Sequence, residues 1–181
     1  AELLAEDHFL LSPSTLLGIH RHLFTDVFPE EIPVGKFRKV NITKKAPVLD
    51  GDTVQYSSHF MIQDALAYDF EREQNFSYAS LTNEQKTLHA MTFLADIWQV
   101  HPFREGNTRT VAVFGIQYLR KLGFHIDNSL FSEHAAYFRN ALVLYHYHGE
   151  KHDKQFLKMF FENLLMGKKN ILSDEEMYSK K

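Results

Sequence analysis

Apolar residues recur at helical spacing along most of this chain, and the breaks between runs mark its elements. Ser12 followed by Pro13 is a helix start, with serine at the cap and proline in the first turn. From there Leu16, Leu17, Ile19, His20, Leu23, Phe24 and Val27 keep a helical rhythm that ends before Pro29. Residues 59–74 repeat it, with Phe60, Ile62, Leu66 and Phe70 predicted to face inward. Thr82 and Gln85 form a capping box. It opens a helix through Leu88, Met91, Phe93, Leu94 and Trp98, which stops near Val100 because Pro102 disfavours helical backbone at His101. A second strongly apolar helix runs from Thr108 to Leu122, with Gly123 as its C-terminal cap. Ser132, His134, Ala135, Phe138, Leu142 and Tyr145 mark another helix, and residues 153–166 the last long one. The tail, 173–181, is polar and is predicted to fray.

Residues 30–59 change period. After Gly35 the run Phe37-Arg38-Lys39-Val40-Asn41-Ile42-Thr43 alternates, with Phe37, Lys39, Asn41 and Thr43 on one face and Arg38, Val40 and Ile42 on the other. Asp50-Gly51 is a tight-turn signal, and Thr53-Val54-Gln55-Tyr56 reads as a return strand. The expected architecture is therefore all-α, one domain over 1–181 with its core in 12–166 and a small β-hairpin spanning 36–58.

Composition narrows the chemistry. The 181 residues suit one domain. The absence of cysteine excludes disulfide scaffolds, thiolate zinc sites, iron–sulfur clusters and a cysteine nucleophile. A formal charge of −3 implies no general affinity for nucleic acid. Nothing resembles a membrane span or a signal peptide, so the expected location is the cytoplasm or, by delivery, a host cytosol. Eleven histidines and sixteen phenylalanines are many for this length, and a phenylalanine-rich core with surface histidines accounts for most of them.

One segment concentrates chemistry: His101-Pro102-Phe103-Arg104-Glu105-Gly106-Asn107-Thr108-Arg109. It joins two apolar helices, so the core holds its backbone. The helix that follows begins near Asn107 and presents free amides and a positive dipole end, a ready anion site. Gly106 permits a sharp turn and close approach, and Arg109 adds a charge-assisted bond to the same anion. Glu105 offers a hard oxygen for Mg²⁺ bound partly through phosphate oxygens. His101 is the side chain there that can take a proton near neutral pH. Phe103 is a core anchor that pins the loop, and Arg104 suits a solvated or salt-bridged role. Together these groups suit attack of a hydroxyl on a phosphate anhydride.

This segment resembles the signature of the Fic (filamentation induced by cyclic AMP) domain family, His-x-Phe-x-(Asp/Glu)-Gly-Asn-(Gly/Lys)-Arg-x-x-Arg. His101, Phe103, Glu105, Gly106, Asn107 and Arg109 all fall in register. The resemblance implies a helical bundle with a hairpin flap, here beginning at Gly35-Lys36-Phe37-Arg38 and running through Lys44. It also implies a protein adenylyltransferase. His101 would deprotonate a Ser, Thr or Tyr hydroxyl of a target protein, which then attacks the α-phosphate of ATP. Glu105 would bind Mg²⁺, while Gly106, Asn107, Thr108 and Arg109 cradle the phosphates. The flap would add the target segment as an extra strand. Ile42 would clamp the modified side chain or simply pack the hairpin, and Lys44 would reach a nucleotide phosphate or remain solvated.

Two departures bear on the donor and on regulation. The family's second arginine, three residues after Arg109, is Ala112, and Thr108 stands where Gly or Lys is usual. In relatives that arginine grips the γ-phosphate and pairs with a glutamate in an inhibitory (Ser/Thr)-x-x-x-Glu-(Gly/Asn) helix. Ser80 with Glu84 is followed by Gln85, Ser129 with Glu133 by His134, and Ser173 has Met177 at the glutamate position, so none completes the pattern. Inhibition would therefore work differently or come from a partner or another segment. Transfer of a different nucleotide or phosphate-containing group, and a regulatory or toxin-associated nucleotide-binding module, stand as alternatives. Two other clusters have bland readings: Tyr145-His146-Tyr147-His148 with His152, whose spacing does not converge on a metal, and Phe138-Arg139, which suit core and surface packing.

Overall fold

A computed structural model describes residues 9–179. Among them eight α-helices follow one another: α1 (Pro13–Phe24), α2 (Ile62–Gln74), α3 (Asn83–Val100), α4 (Asn107–Lys121), α5 (Ser129–Glu133), α6 (Ala135–His146), α7 (Gln155–Met166) and α8 (Asp174–Ser179). The chain forms two compact units. One comprises residues 9–42, 57–76 and 96–126, and the other 43–56, 77–95 and 127–179.

In the first unit α1 packs on α4 and α2. The Ser12 hydroxyl accepts from the Ser14 amide at 3.3 Å, with Pro13 in the first turn, as the start signal requires. The helix stops at Phe24 because Thr25 leaves helical space at ψ 128° and Asp26 then turns left-handed at φ 63°, so Val27 falls beyond it and is exposed. Ile62, Leu66 and Phe70 are buried along α2, and Phe70 meets Phe114 of α4 edge-on at 5.5 Å. Phe60, expected to face inward with them, is 69% exposed. It sits in a 3₁₀ turn, His59–Met61, whose tighter winding puts it out of phase with the α stripe.

In the second unit α6 packs on α7 and α8. Phe131, Phe138 and Phe160 interlock at centroid distances of 4.8–5.1 Å. The helix expected from Ser132 is broken at His134, whose backbone leaves helical space and separates α5 from α6. The tail does not fray as expected over 174–179. It forms α8, with Met177 fully buried and Asp174 accepting from the Asn140 amide group at 3.3 Å. Lys180 and Lys181 lie outside the described residues.

The capping box forms as expected: Gln85 N donates to Thr82 Oγ1 and Thr82 N to Gln85 Oε1, at 3.2 and 2.9 Å. The β-hairpin does not form. Among the described residues there is no strand, and its two arms meet only in an isolated antiparallel bridge, Lys45–Thr53. The turn is real, with Asp50 and Gly51 both at positive φ. Between the arms, however, Pro47–Leu49 wind into a 3₁₀ turn that buries Val48 and Leu49. Residues 38–41 find partners elsewhere: Arg38 N donates to Pro102 O at 2.9 Å, and Asn41 Oδ1 accepts from His59 N at 2.8 Å. Burial and loop contacts, rather than a ladder, hold this segment.

Candidate functional site

The site lies in the first unit, where α3 ends and α4 begins. Pro102 stops α3, and His101 takes up a left-handed backbone, φ 50°. Such a conformation costs a non-glycine residue free energy and persists only where the surroundings enforce it. Here Trp98 O accepts both the His101 amide, at 3.0 Å, and the ring Nδ1, at 3.1 Å. A carbonyl can only accept, so Nδ1 carries the proton and the neutral ring has its lone pair on Nε2. The indole of Trp98 stands edge-on to the imidazole at 5.0 Å. His101 is thus buried, oriented and set in the tautomer a general base needs.

The chain then turns back into α4 through Gly106, which caps the helix at φ 79°. A side chain there would collide with the Phe24 ring, its Cβ 2.4 Å from Cε2. The first helical bond runs from Thr110 N to Gly106 O at 3.0 Å, so the amides of Asn107, Thr108 and Arg109 lie outside the ladder. Free amides at a positive helix end are the chemistry an anion site requires.

The side chains of this turn face different ways. Asn107 is buried and clamps the loop, accepting from Phe103 N at 2.9 Å and donating to Phe103 O at 2.8 Å. Its side chain is thus committed to the loop, which leaves its main-chain amide as the group that could meet an anion. The Thr108 hydroxyl accepts from Trp98 Nε1 at 2.9 Å, which ties the start of α4 to the residue that orients His101. Arg109 is exposed, with its guanidinium 4.5 Å from the Phe24 centroid. Ala112 lies half-buried on α4, one turn beyond it.

Glu105 is exposed, and its carbonyl is fixed by His20, whose Nε2 donates to it at 3.0 Å. His20 Nδ1 accepts from Gly35 N at 2.9 Å, so the ring is neutral, and it stacks on Phe103 at 3.9 Å. Burial lowers the His20 pKa, against the raising effect of the Glu105 bond, and Arg109 adds to the lowering. Among the described residues no cluster of three acidic or histidine side chains could cage a metal. A single exposed carboxylate beside an anion site fits Mg²⁺, which completes its shell with phosphate oxygens and water.

Of the remaining candidates, Ile42 is half-buried, and Lys44 is half-buried in the second unit. His146 is buried, with Nε2 donating to Ala95 O at 2.8 Å, so it is a packing residue. Phe138 lies in the second unit's ring cluster, and Arg139 is exposed. Sequence reasoning missed two residues that hold the site. His20 stood in the apolar stripe of α1, and Arg38 on the apolar face of an alternating run. A polar residue on an apolar face was the signal in both cases. Arg38 is 2% exposed, and among the described residues its guanidinium donates to main-chain carbonyls, including His101 O at 2.8 Å.

A family model described as "Fic/DOC family" matches residues 10–119. Protein adenylyltransferase VbhT of Bartonella schoenbuchensis is 31% identical over 112 residues, which cover 60% of this chain and 21% of that protein. Probable protein adenylyltransferase y4lH of Sinorhizobium fredii is 39% identical over 122 residues, covering 62% of this chain and 54% of the relative. The matched stretch spans about a fifth and about half of these two curated relatives. BepC from Bartonella tribocorum, solved with bound AMPPNP, superposes with a TM-score of 0.69 at 20% identity, covering 90% of this chain and 79% of the other. The effector protein BepA superposes at 0.67 with 24% identity, over 90% of this chain and 56% of that one. These structures share the helical fold.

Proposed function

The chain belongs to the Fic/DOC family, and from that premise we propose that it transfers AMP from ATP to a hydroxyl of a target protein. The observation that carries the reading is the His101 ring, with Nδ1–H donated to Trp98 O, at the foot of a helix whose first amides lie outside the ladder. The relatives named as adenylyltransferases, and the ATP analogue bound to the BepC structure, support it.

In this reading Nε2 of His101 takes the proton of a Ser, Thr or Tyr hydroxyl as its oxygen attacks the α-phosphorus of ATP. The bond from that phosphorus to the bridging oxygen breaks, pyrophosphate leaves, and AMP stays on the target. The amides of Asn107, Thr108 and Arg109, with the Arg109 guanidinium, hold the phosphates while charge redistributes. Glu105 would hold Mg²⁺, which when bound neutralises phosphate charge. The target segment docks along residues 36–42, with Ile42 over the modified side chain. A different donor is the second reading, favoured by Ala112, where the γ-phosphate-gripping arginine of relatives is lacking.

The test is a panel of α-labelled nucleoside triphosphates with lysate as acceptor and His101→Ala as control. Label from ATP that vanishes in the variant is the expected result. Label from another nucleotide alone selects the second reading, and nucleotide binding with no His101-dependent product overturns both.

A further inference from the structure

We propose that Arg38 is a positioning residue for His101, holding the base in its strained backbone conformation and hence in its reactive tautomer. The inference rests on the transfer reading above for its kinetic consequence and on geometry alone for its structural one.

Arg38 is almost fully buried, yet it faces no carboxylate among the described residues. Its Nε donates to His101 O at 2.8 Å and Nη1 to Val40 O at 2.7 Å. Nη2 is shared between Ser57 O, at 2.5 Å, and Val100 O, at 3.4 Å. Its own amide donates to Pro102 O at 2.9 Å. A guanidinium taken out of water is costly unless its donors are met. Here they are met by carbonyls, two of which terminate α3, where the helix dipole places negative charge.

The consequence concerns His101 specifically. Its left-handed φ of 50° turns its carbonyl away from any continuation of α3. That carbonyl accepts the Arg38 Nε, and Val100 O accepts Nη2, so the guanidinium grips the peptide units on which the base is mounted. Without that grip the backbone relaxes, the Nδ1 bond to Trp98 O opens, and the ring loses the acceptor that fixes which nitrogen carries the proton. Lysine cannot replace the fork, since one ammonium does not span these carbonyls. The phosphate turn is held separately, by Asn107 on Phe103 and Trp98 on Thr108, so nucleotide binding does not depend on Arg38.

Arg38→Lys and Arg38→Gln test this, with Glu73→Gln, a buried group of the same unit bonded to Tyr118, as the control for lost stability. The readouts are single-turnover transfer, nucleotide Kd, and ¹⁵N spectra of histidine-labelled protein that report the His101 tautomer. In both folded Arg38 variants transfer slows by roughly tenfold or more with Kd within about twofold of wild type, the scale on which small displacements of a catalytic group act. The His101 ring moves from Nδ1-protonated to a tautomer mixture, most in the Gln variant, while Glu73→Gln changes neither. A wild-type tautomer and rate in a folded Arg38 variant overturns the proposal, as does a loss confined to Kd. If the wild-type protein transfers no nucleotide, the transfer reading fails on its own, and the tautomer measurement still decides Arg38. Should the Gln variant not fold, the Lys variant, which keeps the charge, decides the same question.

Discussion

Gly106 meets two demands that no other residue type can. Its φ of 79° belongs to glycine's range, and the space a Cβ would fill is occupied by the Phe24 ring at 2.4 Å. Since Arg109 lies over the same ring, displacing Phe24 also displaces the arginine proposed to hold phosphate. Gly106→Ala should therefore lower stability by roughly 1–3 kcal/mol in denaturant unfolding and weaken nucleotide binding in titration. Unchanged values for both would mean that the turn tolerates a side chain. At this scale the sequence disclosed chemistry better than orientation. A histidine, a carboxylate and an arginine around a helix start were legible as a candidate site, because their residue types suggest roles. That Asn107 and Thr108 turn their side chains to Phe103 and Trp98 was not legible, since those partners are met only once the loop has folded.

Among the elements, α4 was the most legible, because its apolar spacing and Gly123 cap are local signals that the core reinforces. On this helix Ala112 follows Arg109 by three residues, so the two positions share a face. An arginine placed there would stand above the anion site. Ala112→Arg should tighten ATP binding by roughly 1.5–3 kcal/mol, the range of a charged hydrogen bond, read by calorimetry against ADP as the ligand lacking the γ-phosphate. Equal gains for both nucleotides would place the new charge elsewhere. The segment 36–58 was the least legible element. Its alternation and its Asp50-Gly51 turn are what a hairpin shows, and the turn does form. What the pattern could not disclose is that Arg38 and Asn41 bond to Pro102, His101 and His59 in preference to a facing strand. Alternation reports two faces of an extended chain, not what lies beside its edges.

The whole molecule divides into a unit that holds the candidate site and a unit in which aromatic rings pack α5, α6 and α7. The Fic/DOC match at residues 10–119 includes the whole loop, whereas α5 to α8 lie beyond it. No helix among the described residues is long and apolar enough to cross a membrane. Stability of the second unit should depend on pH through His146, whose burial pulls its pKa down to about 4. The unfolded ring protonates near pH 6.5 and the folded one not until about 4. Stability from this group is therefore complete above about pH 6.5 and is lost as pH falls toward 4. Asp69 works in the opposite sense, burial raising its pKa to about 6, so the difference between two proteins is the clean measure. Relative to His146→Gln, the wild type should lose about 3 kcal/mol between pH 7 and pH 4, followed by chemical denaturation. A pH-independent difference would mean that the buried ring is charged or reached by solvent.

Trp98 is the chain's single tryptophan, buried with its N–H on Thr108 and its ring edge-on to His101 at 5.0 Å. The protein thus contains an intrinsic optical probe at the junction of His101 and the start of α4. Its emission wavelength reports whether that junction excludes water. Imidazolium quenches an excited indole at such range, so its intensity reports the charge on His101. Emission can follow the charge state of His101 without a label.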